Sequence, residues 1–277
     1  MTRIKIRIAR ILYWIIHRVL RKDIHLIRRH GVCYEVDLTE GIDLSLYLCG
    51  NFQDHVTRQK YLSIPESAVI VDVGANIGSM AFRFAQQVTN GHVYAFEPTD
   101  YAFQKLLKNI SFNPALAERI TPVQLFLSDQ TEVDHQIKAY SSWKVDGSAV
   151  ELHPLHGGTI KPAESVSAVT LDDFCTDNKI RKVDLIKIDT DGHELRVLAG
   201  AVKTIEKYQP HVIFEIGLYV LEERGEIFEQ YFLYLSSFKY DLINSKNGKK
   251  ITLENFHKQI PMRSTTDIIA VPQKITG

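Results

Sequence analysis

Short apolar segments alternate with longer segments of helical periodicity along most of the chain. The apolar segments are typical of strands buried on both faces of a parallel sheet, and they cover residues 68–73, 92–96, 122–127, 183–188, 211–216, 240–243 and 267–270. Helical spacing covers residues 79–88, 101–110, 194–208 and 227–235. Strands alternating with helices of about 10–15 residues indicate βαβ units. The sequence therefore predicts an α/β protein, a three-layer sandwich with a mostly parallel seven-strand sheet.

Residues 130–169 interrupt this alternation. The stretch contains several glycines and prolines and shows no sustained period. Loops of this length inside a compact domain are usually functional, and this one leaves the carboxyl side of the third predicted strand, where ligands of such sheets bind. We expect a substrate lid near residues 130–169, with candidate acceptor contacts at Asp146, Gly147, Ser148 and His153.

A glycine-containing turn follows the first predicted strand of the sheet and consists of Gly74, Ala75, Asn76 and Gly78. A dinucleotide-binding turn would read G-x-G-x-x-G, whereas this one reads G-x-x-x-G. The carboxylate of Asp72, just before the turn, suits a cationic group and would repel a pyrophosphate. S-adenosylmethionine carries an ammonium and a sulfonium group and no phosphate. The turn therefore favours S-adenosylmethionine over NAD.

Acidic residues also end the next two predicted strands. Glu97, followed by Pro98, can accept both ribose hydroxyls of an adenosine cofactor, which fits NAD and S-adenosylmethionine equally. Ser128 and Asp129 end the third strand, where they could hydrogen-bond the adenine amino group. Each acid alone could instead be a helix N-cap. Three acids on one ligand-binding edge favour a nucleoside site.

Four segments resemble the ordered motifs of the FkbM-type methyltransferase family: VDVGANIG at 71–78, YAFEP at 94–98, TLDDF at 170–174 and DLIKIDTDGHE at 184–194. The closing DIIAVP at 267–272 is similar, and residues 41–45 and 50–52 resemble the leader of members from surface-polysaccharide pathways. The resemblance implies a class I, Rossmann-like methyltransferase fold that uses S-adenosylmethionine. It also implies cofactor roles for Asp72, Gly74, Asn76, Glu97 and Asp129.

The fourth predicted strand supplies the candidate catalytic residues. Asp189 ends this strand, close to the expected methyl group, and His193 is the candidate base because histidine titrates near neutrality. A capping histidine at the start of the next helix is the alternative for His193. Lys187 and Glu215 lie inside apolar strands, and we expect them to pair or converge on the active site, with a structural ion pair as the alternative.

A metal site is the alternative for the acidic residues at the end of this strand. Asp189 and Asp191 could hold Mg²⁺. Two acids two positions apart in a loop are a thin basis for a metal, so the sequence assigns none.

The balance of 33 basic and 33 acidic side chains conceals two oppositely charged regions. Residues 1–30 hold nine basic residues and one acidic residue, a net charge of +8, whereas the rest of the chain carries −8. Apolar residues in the first 20 positions follow helical spacing. We expect a basic amphipathic helix within residues 1–30, a leader or cap at 31–67 and the S-adenosylmethionine-binding domain at 68–277. The helix packs on the body or contacts an anionic membrane or a glycosyltransferase.

No signal peptide or membrane-spanning segment is evident, since the longest uninterrupted apolar run near the N-terminus covers only residues 11–16. Three scattered cysteines are typical of a reducing compartment. The expected location is therefore the cytoplasm, with peripheral contact at the inner face of the membrane.

The sequence predicts an S-adenosylmethionine-dependent O-methyltransferase. Its expected acceptor is a sugar hydroxyl of a glycan or glycolipid, or another small-molecule hydroxyl, as in polysaccharide biosynthesis. An NAD-dependent oxidoreductase and a non-catalytic binding protein on the same fold are the alternatives. A nucleic-acid partner is not expected, because the acidic body shows no basic, aromatic-rich groove.

Overall fold

Strands and helices alternate through the chain, and the computed structural model describes residues 2–50, 53–131, 138–141, 144–146, 159–162 and 166–273. The strands are β1 (Ile24–Arg29), β2 (Val32–Asp37), β3 (Val69–Val73), β4 (His92–Phe96), β5 (Ile120–Val123), β6 (Phe126–Leu127), β7 (Lys138–Ser141), β8 (Thr159–Pro162), β9 (Ala168–Val169), β10 (Leu185–Ile188), β11 (His211–Ile216), β12 (Tyr240–Asn244), β13 (Lys250–Ile251) and β14 (Thr266–Pro272). The helices are α1 (Thr2–Leu20), α2 (Gly41–Cys49), α3 (Asp54–Thr57), α4 (Ser79–Gln87), α5 (Asp100–Ser111), α6 (Pro114–Ala117), α7 (Leu171–Asp177), α8 (Glu194–Ala199), α9 (Val202–Tyr208), α10 (Leu218–Arg224), α11 (Phe228–Ser237) and α12 (Phe256–Gln259).

Within these described residues, eight strands form one central sheet in the order β13-β12-β14-β11-β10-β3-β4-β5. The five strands from β11 to β5 are parallel, whereas β14, β12 and β13 are joined by antiparallel pairings. The chain runs outward from β3 through β4 to β5, and in the opposite direction from β10 to β11. Strand order therefore reverses between β3 and β10, and such a reversal creates a ligand-binding crevice at the carboxyl ends of the strands.

Each face of the sheet carries its own apolar core, because side chains alternate between faces along a strand. Val71, Ile186 and Val212 belong to one core, which α7, α8, α9 and α11 cover. Ile70 and Leu185 belong to the other core, which includes residues of α4, α5 and the leader. Helices on both faces of a mostly parallel sheet confirm the predicted α/β three-layer sandwich.

The leader is built into the second core. β1 and β2 form an antiparallel hairpin, and the inward side chains of β2 are fully buried. Tyr34 packs edge-on against Phe82 of α4, with 5.5 Å between ring centroids. The side-chain amides of Asn109 and Asn113 hydrogen-bond backbone groups of β2 at 2.7–2.8 Å. The leader therefore belongs to the same folding unit as the sheet.

The N-terminal helix is shorter than the predicted basic segment of residues 1–30. α1 ends at Leu20, Arg21 takes a positive φ of 55°, and the chain continues as β1. The alternation of exposed and half-buried side chains in β1 is a strand pattern, which explains the change of structure. None of the described helices has the length and apolar character that a membrane crossing requires.

Three further elements differ from the sequence-based expectation. The sheet has eight strands where the pattern predicts seven, because β13 is only two residues long and too short to show a period. The predicted strand at 122–127 divides into β5, at the edge of the central sheet, and β6, which pairs with β9. The predicted helix at 194–208 divides at Gly200 into α8 and α9, and a Cβ on Gly200 would lie 2.0 Å from the backbone oxygen of Ser128.

The predicted lid is described in part. β7 and β8 form an antiparallel pair, and Lys144 forms a salt bridge of 2.9 Å with Glu40 of the leader. Asp146 is exposed. The candidate acceptor contacts Gly147, Ser148 and His153 lie outside the described residues.

Candidate functional site

Four charged side chains project from the same face of the sheet at its carboxyl-terminal edge. Lys187 lies opposite Asp72 in the parallel pairing of β10 with β3, and Glu215 lies opposite Asp267 in the pairing of β11 with β14. Their neighbours on these strands alternate between the two cores, so the register places all four side chains on the face that the leader covers. The carboxyl-terminal edge of the sheet is therefore charged at the strand-order reversal, whereas the remainder of these strands is mostly apolar.

A buried ion pair spans the reversal point. Lys187 Nζ lies 3.2 Å from Asp72 Oδ1 and 3.7 Å from Asp189 Oδ2, and the side chains of Lys187 and Asp72 are 4% and 0% exposed. Nζ also donates a hydrogen bond of 3.2 Å to the backbone oxygen of Gly74. Burial alone would lower the pKa of Lys187, but the charges of Asp72 and Asp189 outweigh it and raise the pKa. Lys187 therefore pairs with Asp72, and not with Glu215.

The glycine turn begins directly above this ion pair. Gly74 has a φ of +78°, and a Cβ there would lie 2.0 Å from the backbone oxygen of Asp189. Gly78 has a φ of +91°, and a Cβ there would lie 2.7 Å from Leu106. Ala75 donates its backbone N–H to Phe96 at 2.9 Å, which ties the turn to the end of β4. Both glycines are therefore required by conformation and by close packing.

Glu97 at the end of β4 is bonded to the turn. Its Oε2 accepts a 2.9 Å hydrogen bond from the backbone N–H of Asn76, and its Oε1 accepts from the backbone and the hydroxyl of Thr99. Asn76 has a φ of +50°, and its side chain accepts from the N–H of Ile77. Burial raises the pKa of Glu97, although these bonds favour its charged form. Pro98 follows, half-buried.

Ser128 and Asp129 follow β6 and therefore lie beyond the end of β5 proper. The Ser128 hydroxyl donates a 3.0 Å hydrogen bond to Asp129 Oδ1. Ser128 is buried and Asp129 is exposed. The carboxylate of Asp129 is therefore accessible to a ligand. It follows the β6–β9 pair and not, as predicted, a strand of the central sheet.

Three carboxyl groups meet beyond the ends of β10 and β11. One oxygen each of Asp189, Asp191 and Glu215 lies within 4.8 Å of the others. Desolvation, together with the charges of Asp189 and Glu194, raises the pKa of Asp191 to about 8. Burial, together with Asp189 and Asp267, raises the pKa of Glu215 well above its ordinary value. Such a cluster could hold a divalent cation or a proton, since both reduce the repulsion between carboxylates.

A cavity of about 210 Å³ opens beside this acidic cluster. Asp191 and Glu215 lie on its wall together with Tyr219, Ser264 and Thr265. The hydroxyl of Thr265 donates a 2.7 Å hydrogen bond to Glu215 Oε1. The cavity therefore combines hydroxyl and carboxyl groups, which suits a ligand that bears hydroxyl groups.

His193 is buried beneath the cluster. Its Nε2 lies 3.1 Å from Arg224 Nη1, which can only donate, and its ring packs edge-on against Phe126. Arg224 also donates a 2.8 Å hydrogen bond to the backbone oxygen of Asp191. The Nε2 lone pair of His193 is therefore already engaged by Arg224, which also bonds the Asp191 loop.

The leader contributes two residues to this edge that sequence reasoning missed. Gln53 Nε2 donates a 3.4 Å hydrogen bond to Asp189 Oδ2, and His55 Nε2 lies 2.5 Å from Asp267 Oδ2. More than 130 residues separate each pair along the chain. Opposite charge could have suggested the pairing of His55 with Asp267, whereas no sequence signal indicates the contact of the neutral Gln53 with Asp189.

The residues at this edge fit S-adenosylmethionine. Both glycines let the turn pack tightly against Asp189 and Leu106, and Glu97 retains acceptor capacity on Oε2, which accepts a single hydrogen bond from Asn76. The acids outnumber the nearby cations, and Lys187 is already paired with two of them. This charge balance suits a positively charged, hydroxyl-bearing cofactor.

Comparison with known proteins gives concordant results. Hexuronic acid methyltransferase AglP of Haloferax volcanii is 26% identical over 54% of this chain and 56% of its own. 2-O-methyltransferase NoeI of Sinorhizobium fredii is 29% identical over 50% of this chain and 59% of its own. The chain thus spans less than two thirds of the length of these two relatives.

A solved structure is also similar. Methyltransferase FkbM from Methylobacillus flagellatus KT matches 77% of this chain and 47% of its own, with 18% identity and a TM-score of 0.48.

A family profile matches a larger continuous part of the chain. The profile described as Methyltransferase FkbM domain covers residues 72–242. This span begins at Asp72, includes the glycine turn, Glu97 and the acidic cluster, and ends within β12. The strand order with its reversal between β3 and β10 is that of a class I methyltransferase sheet. The chain therefore belongs to the FkbM methyltransferase domain family.

Proposed function

We propose that this protein is an S-adenosylmethionine-dependent O-methyltransferase that acts on a sugar hydroxyl of a glycan or glycolipid. The observation that carries the proposal is the hydroxyl- and carboxyl-lined cavity beside the acidic cluster, whose member Asp189 also lies against Gly74 of the glycine turn. The names of two relatives support the acceptor class, since one specifies a hexuronic acid and the other a 2-O position.

Residues of β3, β4 and the turn are proposed to hold the cofactor. Glu97 would accept the ribose hydroxyls, Asp72 and the turn from Gly74 to Gly78 would face the methionine portion, and Ser128 with Asp129 would contact the adenine. When bound, the cofactor supplies a methyl carbon that its sulfonium activates toward a hydroxyl oxygen. Lys187 pairs with Asp72 and Asp189, and its Nζ donates a hydrogen bond to the backbone oxygen of Gly74.

The acceptor hydroxyl must lose a proton, and we propose that the acidic cluster takes it. A base works best when its pKa lies near the working pH, and desolvation raises the pKa of Asp191 to about 8. Glu215 faces the same cavity, and Asp189 adjoins both. In this proposal His193 positions Arg224 and the Asp191 loop, because its Nε2 is already engaged.

Transfer of labelled methyl from S-adenosylmethionine to separated polysaccharide, glycolipid and small-molecule fractions tests the activity. We expect label in a sugar-containing fraction, with strong loss in Asp191→Asn and Glu215→Gln and a smaller loss in His193→Gln. Asp177→Asn, an exposed change at the end of α7, serves as the matched control. Absence of label from every fraction would remove the enzymatic proposal, and a greater loss in His193→Gln than in Asp191→Asn would return the base role to His193.

Cofactor binding is tested separately from transfer. Thermal stabilisation by S-adenosylhomocysteine, and not by NADH, is the expected result, since the acidic edge repels a pyrophosphate. Stabilisation by NADH alone would favour the oxidoreductase alternative. Stabilisation by S-adenosylhomocysteine without any methyl transfer would favour a non-catalytic binding protein.

A chelator tests the role of the acidic cluster. We propose transfer without a metal, so dialysis against a chelator is expected to leave the rate unchanged. Loss of the rate and its recovery with Mg²⁺ would instead assign a cation to Asp189, Asp191 and Glu215.

We propose that the protein works in the cytoplasm, at the inner face of a membrane where lipid-linked acceptors would be met. Cys33, Cys49 and Cys175 are free thiols, which supports a reducing compartment. Fractionation of the native protein between soluble and membrane material tests this location.

A further inference from the structure

Helix α1 has two apolar stripes instead of one. Ala9, Tyr13 and Ile16 are partly buried against the second core, at the spacing of one helix face. Tyr13 and His17 also hydrogen-bond Asp23 at 2.9 Å and 2.8 Å. This inner face attaches the helix to the body.

The other stripe of α1 is unpartnered among the described residues. Ile8, Ile11, Ile15 and Val19 follow spacings of three and four, and they are 52%, 59%, 49% and 75% exposed. Leu12 is exposed beside them. Helices on the surface of a globular protein normally carry polar residues at such positions, and contiguous exposed apolar patches usually mark an interaction site. We call this stripe the outer face.

Basic and aromatic side chains border the outer face. Trp14 is 60% exposed, and the guanidinium of Arg18 lies 5.2 Å from the centroid of its ring. Further exposed cations on or next to this helix are Arg7, Arg21, Lys22 and Arg28. The single acid of residues 1–30 is Asp23, and its carboxylate is bonded to the inner face. The surface around the stripe is therefore strongly cationic.

Strand β1, which three residues separate from α1, also exposes apolar and basic side chains. Ile24 and Leu26 are exposed, and Arg28 follows them on the same alternating set of positions. In contrast, the body beyond residue 30 carries a net charge of −8 and would be repelled by phosphate groups. The cationic, apolar surface is thus confined to one end of the chain.

We propose that the outer face of α1 docks on a bilayer that contains anionic phospholipids. The aliphatic stripe enters the boundary between headgroups and acyl chains, Trp14 lies at headgroup level, and the arginines contact lipid phosphates. Charge complementarity favours this occupant over a second copy of the chain, because two such cationic faces would repel each other. The proposal holds whichever acceptor the enzyme methylates.

Sedimentation of the full chain with vesicles tests the proposal. The protein is expected to sediment with vesicles of phosphatidylcholine and phosphatidylglycerol, to bind phosphatidylcholine vesicles far less, and to dissociate at high salt. The double variant Ile11→Glu/Ile15→Glu should bind the anionic vesicles at least about tenfold more weakly. Leu233→Glu on α11, where Leu233 is 61% exposed, is the matched control and should bind like the parent.

Melting temperature and S-adenosylhomocysteine binding show that the variants are folded. Failure of the parent protein to sediment with anionic vesicles would overturn the proposal, as would equal sedimentation of the double variant. Retention on native membranes without binding to pure lipid would assign the outer face to a protein partner. Dimerisation in the absence of lipid that the double variant abolishes would assign it to a second copy.

Discussion

Lys187 occupies a position in a central strand where an isolated ammonium would be strongly unfavourable. Asp72 lies 3.2 Å away and is fully buried, so each charge depends on the other. Removing one member of a buried pair leaves an uncompensated charge, which costs more than the pair itself contributes. The ion pair is therefore best understood as a constraint on the sheet edge beneath the glycine turn.

Lys187→Met is expected to lower the free energy of unfolding by about 3–5 kcal/mol. The double variant Asp72→Asn/Lys187→Met should recover part of that loss, because it removes both charges. Lys182→Met is the matched control, since Lys182 forms a 3.2 Å pair with Asp184 at the surface; its expected cost is about 0–1 kcal/mol. Chemical denaturation measures all three, and equal losses for the buried and exposed pairs would contradict this account.

Asp191 should make stability depend on pH. Its pKa is about 8 in the folded protein against an ordinary value of 3.8. Between these values the folded state retains a proton that the unfolded chain has lost. This group's contribution to the free energy of unfolding therefore decreases as the pH rises toward 8.

Asp191→Asn removes this dependence and suits the backbone, because asparagine tolerates the φ of +53° at this position. The melting temperature of the variant relative to the parent should rise between about pH 5 and about pH 8. Asp177→Asn should melt in parallel with the parent across that range. A constant difference between Asp191→Asn and the parent would show that the carboxyl is ionised throughout.

The break between α8 and α9 brings two distant elements of the site together. A Cβ on Gly200 would lie 2.0 Å from the backbone oxygen of Ser128, in the segment that carries Asp129. Gly200 has an ordinary φ of −81°, so its requirement is spatial and not conformational. The helix break therefore positions the proposed adenine-binding segment.

Gly200→Ala is expected to lower stability by about 1–3 kcal/mol and to weaken S-adenosylhomocysteine binding, because the Ser128 segment must move. Gly225→Ala is the control: Gly225 has a φ of +69° but open space around its Cα, so only backbone strain is added. Calorimetric titration should show a larger affinity loss for Gly200→Ala. Equal affinities would mean that the contact has no part in ligand binding.

Strands buried on both faces could be predicted from the sequence. Elements whose bounds depend on contacts with distant segments could not. β4 and β11 match their predicted bounds because apolar runs that end at acidic or glycine residues carry a strong local signal. The second half of the segment 194–208 begins as a separate helix whose Lys203 and Thr204 backbone N–H groups donate to Asp172, a contact that no local window contains. The leader hairpin was missed because Ile24 and Leu26 are apolar although exposed, so β1 lacks the alternation of apolar and polar residues that marks a strand.

The residues of the candidate site were likewise predictable only where a local signal exists. Asp72, Glu97 and Asp189 could be located from sequence because each lies within one residue of the carboxyl end of a strand, at one edge of the sheet. The contacts of Gln53 and His55 depend on the path of the leader, which brings them to side chains more than 130 residues away along the chain. Likewise, Lys187 takes Asp72 as its partner because the strand register places them opposite each other.

For the molecule as a whole, we propose that the basic N-terminal helix and the proposed cofactor edge are separate functional regions. Deletion of residues 1–20 removes the outer face of α1 and the packing of Ala9, Tyr13 and Ile16 on the second core. Vesicle binding should fall sharply, the melting temperature should decrease by a few degrees, and the affinity for S-adenosylhomocysteine should remain unchanged. An unchanged vesicle affinity after deletion would show that α1 does not mediate membrane contact.

The shared core of leader and sheet has a consequence for synthesis on the ribosome. The family match starts at Asp72, but the inward side chains of β2 pack on α4, which emerges some tens of residues later. Tyr34 therefore leaves the ribosome before Phe82, its packing partner, exists. A nascent chain ending within β3 would expose its apolar hairpin and be a substrate for chaperones. Folding of this chain must wait for the sheet, although β1 and β2 are made long before.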